Sequence, residues 1–338
     1  FKQKTAYEML RSLVGSEMCI RDREYRLWLS FYASSTEAAL PALNLAGAYA
    51  GSGVPLPVTV ERAAIPPRLA DLPIRQRLDL AVGADLTLLG VNLDSRTVRP
   101  GEPVYLTLFW RADRQPAAHL RVDLSLGETT LYHGPPVHGT YPTERWSASE
   151  VVVDRYDARL DRRAAAGVYP LQLTLQDAQG RAALGPISLG EVAVTAVERN
   201  FQVPPLTHPV GIPLDAQVEL LGYDLEPLTP SPGGQVALML YWQALTEMDT
   251  PYTVFVHLRR PDGELVTQHD DQPANGAYPT TLWLPDEVVT DRHILNLPQG
   301  LPAGAYTVEV GMYVAETGVR LAAPRAPDGA IRFTVTVR

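Results

Sequence analysis

YPTTLWLPDEVVTDR, residues 278–292, is a second copy of YPTERWSASEVVVDR, residues 141–155. Tyr, Pro, Thr, Trp, Glu, Val, Val, Asp and Arg recur at the same spacing, and self-similarity at a fixed period marks a repeated structural unit. The likeness spreads outward. Leu89-Gly90 returns at Leu221-Gly222, Pro100-Gly101 at Pro232-Gly233 and Trp110 at Trp242, each 132 residues on (90 to 222). Beyond the motif the spacing is 137 (167 to 304), as Gly167 and Tyr169 return at Gly304 and Tyr306. The difference is a five-residue insertion between Trp242 and Tyr278 in the second copy. This is a region of turns, where closing a slightly longer loop costs little.

Each copy reads as β structure. Val104, Leu106, Leu108 and Trp110 alternate along one strand, and Val236, Leu238, Leu240 and Trp242 repeat the pattern. Leu120, Val122, Leu124 and Leu126 alternate with His119, Arg121, Asp123 and Ser125. Tyr252, Val254, Val256 and Leu258 alternate with Thr253, His257 and Arg259, which puts His257 on a polar face. Period two with one apolar face is the half-buried strand signal. Asp177-Ala-Gln-Gly180 and Pro261-Asp-Gly263 have hairpin-turn chemistry. No long stretch holds a helical period. The expected fold is all-β: two tandem immunoglobulin-like antiparallel sandwiches at 79–199 and 213–338. Pro-rich stretches at 65–78 and 200–212 are the expected linkers.

Residues 1–23 stand apart in composition. They hold both lysines, the single cysteine Cys19 and two of the five methionines. They resemble a translated sequencing adapter and are set aside from the fold reading. Residues 24–64 are expected to be the last strands of a third unit whose beginning is missing. Tyr25, Leu27, Leu29, Phe31 and Tyr32 precede Tyr306, Val308, Val310, Met312 and Tyr313 by 281 residues (25 to 306). Pro57-Val-Thr-Val60 likewise resembles the terminal stretch Phe333-Thr-Val-Thr-Val337. The chain then reads as the C-terminal piece of a longer protein.

The formal charge is −9, and −11 without residues 1–23, which carry five basic and three acidic side chains. An acidic chain without basic clusters is a poor nucleic-acid binder. No apolar run is long enough to span a membrane. Without a cysteine after residue 23, no disulfide holds the sandwiches, and each unit is long enough to bury its own core.

The motif invites a binding reading. Tyr141, Trp146, Tyr278 and Trp283 are candidate glycan contacts, because aromatic faces stack on sugars. The competing and favoured reading is that Pro-Thr makes a turn and the tryptophan packs on the core. Its exposed neighbours differ freely between copies, Glu144-Arg145 against Thr281-Leu282 and Ser147-Ala148 against Leu284-Pro285. In the strand that follows, Val152, Asp154, Tyr156, Ala158 and Leu160 share one face, as do Val289, Asp291, His293, Leu295 and Leu297. A carboxylate on an apolar face needs donors, so Asp154 and Asp291 are read as acceptors for turn N–H groups or an arginine. Glu150 with Asp154, and Glu287 with Asp291, lie about 13 Å apart along a strand by rise alone, too far for a glycosidase pair. Catalytic and phosphate-binding motifs are absent. The histidines His119, His133, His138, His208, His257, His269 and His293 show no metal-ligand spacing. The expectation is no catalytic residue, no metal and no cofactor.

The pattern Tyr278-Pro-Thr280, Trp283, Glu287-Val-Val-x-Asp-Arg292, Leu301-Pro-Ala-Gly-x-Tyr306 and Gly311-Met-Tyr313 resembles a family of bacterial β-sandwich modules. These occur in the soluble, extracytoplasmic C-terminal tails of protein-mannosyltransferase-like membrane glycosyltransferases, and in related large membrane proteins. The resemblance covers residues 80–338. The first copy departs from it, with Ser147-Ala-Ser149 in place of Leu284-Pro-Asp286 and Arg162-Arg163-Ala164 in place of Gln299-Gly-Leu301. The resemblance implies a non-catalytic accessory module outside the cytoplasm, tethered through a membrane domain of the same polypeptide. It carries over no catalytic residue, since catalysis would belong to that membrane domain. The alternative is a carbohydrate-binding module contacting glycan through the motif aromatics. The candidate partners are therefore a glycan or that membrane domain, with no nucleic acid.

Overall fold

The computed structural model describes residues 23–29, 42–43, 49–51, 54–60, 68–117, 119–324, 326 and 328–338. The set-aside leader lies outside these residues except for Arg23, as do Phe31 and Tyr32. The described chain is all-β, with antiparallel pairing throughout except where β7 (Thr97–Val98) runs parallel to β13 (Ala182–Val194), and with only single 3-10 turns between the strands. Its described residues divide into two compact units, those up to 96 with those of 104–158 and 168–192 in one, and those of 97–103, 159–167 and 193–338 in the other.

Four short strands come first: β1 (Arg23–Leu29), β2 (Ala42–Leu43), β3 (Tyr49–Gly51) and β4 (Val54–Val60). β1 pairs antiparallel with β4, and Tyr25 faces Val58. β5 (Gln76–Val82), β6 (Leu86–Leu93), β7 (Thr97–Val98), β8 (Pro103–Ala112), β9 (Arg121–Leu126), β10 (Thr129–Gly134), β11 (Val151–Arg159), β12 (Gly167–Gln176) and β13 (Ala182–Val194) follow. They form one sheet in the order β11-β8-β6-β5 and another in the order β10-β9-β12-β13-β7.

The remaining strands are β14 (His208–Leu214), β15 (Val218–Glu226), β16 (Gln235–Ala244), β17 (Tyr252–Arg259), β18 (Leu265–Asp271), β19 (Val288–Asn296), β20 (Gly304–Val314) and β21 (Ile331–Val337). Their sheets run β14-β15-β16-β19 and β18-β17-β20-β21, the same orders strand for strand apart from the added β7. β20 pairs with β21 with Tyr306 opposite Val335, the same relation as Tyr25 to Val58. Leu220, Leu238, Leu240, Trp242 and Val289 of one sheet and Val254, Val256, Val308, Val310 and Val335 of the other share one buried cluster. Two sheets closed on a common apolar layer make a β-sandwich.

The repeated residues have repeated jobs. β8 and β16 bury every second side chain, through Trp110 to Ala112 and through Trp242 to Ala244, and β8 buries Phe109 as well. At the repeated Leu-Gly the ladder slips a residue, between Leu88 and Gly90 and between Leu220 and Gly222. A Cβ on Gly90 would stand 2.3 Å from the Gln76 carbonyl oxygen, and one on Gly222 would stand 2.6 Å from that of His208. Glycine here lets the edge strand approach. The length difference between copies falls in the hairpins. Gly127-Glu128 joins β9 to β10, whereas the turn from β17 to β18 runs through Gly263 and Glu264, bonded back to Arg260.

Two readings need correction. β5 begins inside the stretch read as the first linker, and β14 inside the second. Both are edge strands, where a proline such as Pro209 deletes no ladder bond. β17 does not alternate: Tyr252 through Leu258 are all buried. The outer face is covered, since Arg320 lies over the Phe255 ring at 4.2 Å and Tyr313 packs on it. His257 is thus buried and holds Asp270 at 3.0 Å, not solvated.

Candidate functional site

The repeated motif opens with a single 3-10 turn, Thr143–Arg145 in the first copy and Thr280–Leu282 in the second. The proline before each turn sits at φ near −65°, its natural value. The threonine hydroxyl caps a strand start: Thr143 Oγ1 accepts Leu120 N–H at 3.2 Å, and Thr280 Oγ1 accepts Tyr252 N–H at 3.0 Å. The turn sends the tryptophan inward, leaving Trp146 1% and Trp283 0% exposed. Each indole N–H donates to the carbonyl of the motif tyrosine, Trp146 to Tyr141 at 2.9 Å and Trp283 to Tyr278 at 3.0 Å. Neither indole offers a face to a sugar from solvent.

The motif glutamate closes the loop from the other side. Glu150 accepts the Ser147 N–H at 2.7 Å and the Tyr141 hydroxyl at 2.9 Å. Glu287 accepts the Leu284 N–H at 2.9 Å and the Tyr278 hydroxyl at 2.7 Å. Tyr141 and Tyr278 are half-buried and their hydroxyls are engaged. Burial, with Glu287 beside it, raises the Tyr278 phenol above its ordinary value. In the second copy Arg199 completes the arrangement, donating to Glu287 at 2.6 Å, to the Tyr278 hydroxyl at 2.8 Å and to the Leu282 carbonyl at 3.0 Å. Arg162, in the same compact unit, donates to the carbonyls of Thr281 and Met248, each at 2.8 Å, and pairs with Glu247 at 2.7 Å and Asp249 at 2.8 Å. Thr281 and Leu282, expected to be exposed, are consequently buried.

Both motif aspartates are buried, Asp154 0% and Asp291 1% exposed. Each sits beneath a left-handed turn: Val137 and His138 at φ 55° and 49°, Ala274 and Asn275 at φ 54° and 53°. Non-glycine residues enter this region at a cost. The turn aims a backbone N–H at the carboxylate, Val137 to Asp154 at 3.0 Å and Ala274 to Asp291 at 2.9 Å. The donors are turn amides, as the apolar face implied, and arginine takes no part. The rest of the shell differs. Asp154 also accepts the Tyr156 hydroxyl at 2.6 Å and the Trp110 indole N–H at 3.4 Å. Burial still pushes its carboxyl up to about 6, against the opposing pull of these donors. Asp291 instead meets His293 Nε2 at 2.8 Å, and His293 Nδ1 lies 2.8 Å from His269 Nδ1. Trp242, the partner of Trp110 by position, has no acceptor for its indole N–H among the described residues.

The structure gathers Tyr141, Trp146, Glu150 and their counterparts Tyr278, Trp283 and Glu287 into one small loop assembly per copy. It sets the aspartates apart, beneath the second turn. The histidine pair was concealed, because 24 residues separate His269 from His293; the signal was two tyrosines, Tyr132 and Tyr156, replaced by histidine at the same spacing (132 to 156, 269 to 293). Among the described residues no group of three or more His, Cys, Asp or Glu is arranged to hold a metal. No helix among them is long and apolar enough to cross a membrane, which says nothing of a β-barrel.

No protein-family model matches the chain, and no curated protein matches it. Among solved structures it is similar to a glycosyl hydrolase family 2 member from Bacteroides cellulosilyticus, at 9% identity and TM-score 0.27, over 94% of this chain and 35% of that one. A structure of a family 2 member from strain DSM 14838 of that species matches at 9% identity and TM-score 0.24, over 93% of this chain and 36% of that one. Red sea bream transglutaminase matches at 10% identity and TM-score 0.21, over 75% and 31%. The chain thus spans about a third of the length of these structures.

Proposed function

We propose that the chain is a non-catalytic accessory module: tandem immunoglobulin-like sandwiches that act as a scaffold outside the cytoplasm. We place it in the C-terminal part of a longer polypeptide anchored in the cell membrane, of the glycosyltransferase type that the motif resembles. The observation that supports this reading is how the motif uses its repeated side chains. The tryptophans are buried, and the tyrosine, threonine, glutamate and aspartate side chains are hydrogen-bonded within the fold. A motif engaged in this way is maintained for the shape of a loop, and no substrate is needed to explain it.

The test has two arms. The natural gene, with whatever coding sequence precedes these residues, is expressed in a bacterial host, and intact cells are treated with protease. The expected result is that the sandwiches sediment with membranes and are cut from outside. A freely soluble cytoplasmic product overturns the placement. The purified chain is also screened on a glycan array. Saturable binding abolished by Tyr141→Ala and Tyr278→Ala would replace the scaffold reading with a carbohydrate-binding module.

A further inference from the structure

We propose that His269 and His293 form a binding site for a divalent transition-metal ion of the copper, nickel or zinc class. The two Nδ1 atoms face each other at 2.8 Å, with the rings nearly perpendicular at 78°. Asp291 accepts from His293 Nε2 at 2.8 Å, which assigns the proton to Nε2 and leaves the Nδ1 lone pair directed at His269. A carboxylate holding the far nitrogen of an imidazole is the usual support of a metal-ligating histidine. It fixes the tautomer and makes the ring a better donor. Asp291 is itself held by the Ala274 N–H at 2.9 Å, so the support is anchored in backbone.

Access and geometry fit. His293 is buried on β19, whereas His269 is half-exposed on the edge strand β18, so an ion and its waters can reach the pair from one side. Imidazole nitrogens bind such ions at roughly 2.0–2.1 Å. Once both rings turn to swing their lone pairs off the line between them, nitrogens 2.8 Å apart would subtend about 86° at the ion, the cis angle of a tetragonal copper or nickel site. Opening the pair by about half an ångström reaches the tetrahedral angle zinc takes. On binding, His269 carries its proton on Nε2, so both rings ligate as neutral imidazoles. No third His, Cys, Asp or Glu converges on the pair among the described residues, so water fills the other positions.

The first unit supplies the internal comparison. Around the equivalent aspartate, Tyr156 donates its hydroxyl to Asp154 at 2.6 Å, and Tyr132 packs edge-on against Tyr156 with ring centroids 4.8 Å apart. Two phenols therefore serve the packing role beneath the same turn. They are no substitute as ligands: burial and Asp154 push the Tyr132 phenol up to about 12, so it stays protonated at neutral pH. Both positions are histidine in the second unit, which converts a packing pair into a ligand pair.

The experiment titrates the full chain with Cu2+, Ni2+ and Zn2+ in separate runs, by calorimetry and by thermal unfolding, with Cu2+ electron paramagnetic resonance as the structural readout. The expected result is one saturable site per chain, a rise in unfolding midpoint, and hyperfine structure from two imidazole nitrogens. The His269→Tyr variant places the first unit's side chain at a half-exposed position, so it tests the site without emptying the core. It should lose the saturable site and the rise in midpoint on adding metal, read against its own metal-free midpoint. His119, His133, His138, His208 and His257 remain in that variant and report nonspecific uptake. Saturable binding that persists unchanged in His269→Tyr, or no saturable binding by the parent chain, overturns the proposal.

Discussion

Removing the indole of Trp283 separates the two jobs assigned to it. The side chain is fully buried and donates one hydrogen bond, to the Tyr278 carbonyl at 3.0 Å. A tryptophan buries about 150–250 Å², worth about 4–6 kcal/mol at 25 cal/mol per Å². Alanine recovers part of that area, so Trp283→Ala should destabilise the second unit by about 3–5 kcal/mol. In a unit of this size that lowers the thermal midpoint by roughly 10–15 °C. Trp283→Phe keeps most of the ring but leaves the Tyr278 carbonyl without its donor, a loss of about 1–2 kcal/mol. The assay is urea unfolding of both variants, followed by circular dichroism. An alanine variant within about 1 kcal/mol of the parent chain, or a phenylalanine variant as costly as alanine, would contradict a buried, hydrogen-bonded Trp283.

Other perturbations probe the rest of the site. Asp154 has a folded pKa of about 6, above its ordinary 3.8, so the folded state binds the proton more tightly. Its share of stability is fully present below about pH 4 and is lost as pH rises through 6, about 2–3 kcal/mol in all. The midpoint difference between the parent chain and Asp154→Asn should therefore change by several degrees between pH 4.5 and 7.5, and a constant difference contradicts it. Glu287→Ala strands the Arg199 guanidinium and two further donors, and should cost about 3–5 kcal/mol in urea unfolding; Arg199→Ala together with it should recover part of the loss. Gly222→Ala drives a Cβ to 2.6 Å from the His208 carbonyl oxygen and should cost about 1–3 kcal/mol, detectable as a lower urea midpoint.

Much of the fold was legible because a half-buried strand writes its period into the chain. The alternation of Val104 to Trp110 and of Val236 to Trp242 became β8 and β16, with every second side chain in the core. The repeat made the reading firmer, since the glycines, tryptophans and aspartates that recur stand where backbone approaches backbone or a turn needs an acceptor. Burial of the motif tryptophans and the turn-amide partners of Asp154 and Asp291 could be argued from residue type alone. A large aromatic and a lone carboxylate on an apolar face have few stable solutions.

Tertiary structure decided whatever depends on residues distant in sequence. Local period shows which face of a strand is apolar, but not whether the other face is covered. His257 is buried because Phe255, Tyr313 and Arg320 close over the outer face of β17. Thr281 and Leu282 are buried because Arg162 and Arg199, roughly eighty to one hundred and twenty residues earlier in the chain, reach their carbonyls. Proline in β14 reads as linker, and only the sheet order shows it on an edge where its missing N–H is harmless. The chain Asp291–His293–His269 exists because β18 and β19 are brought together. Alternation governs neighbours along a strand, whereas contacts between strands are set by the path of the whole chain.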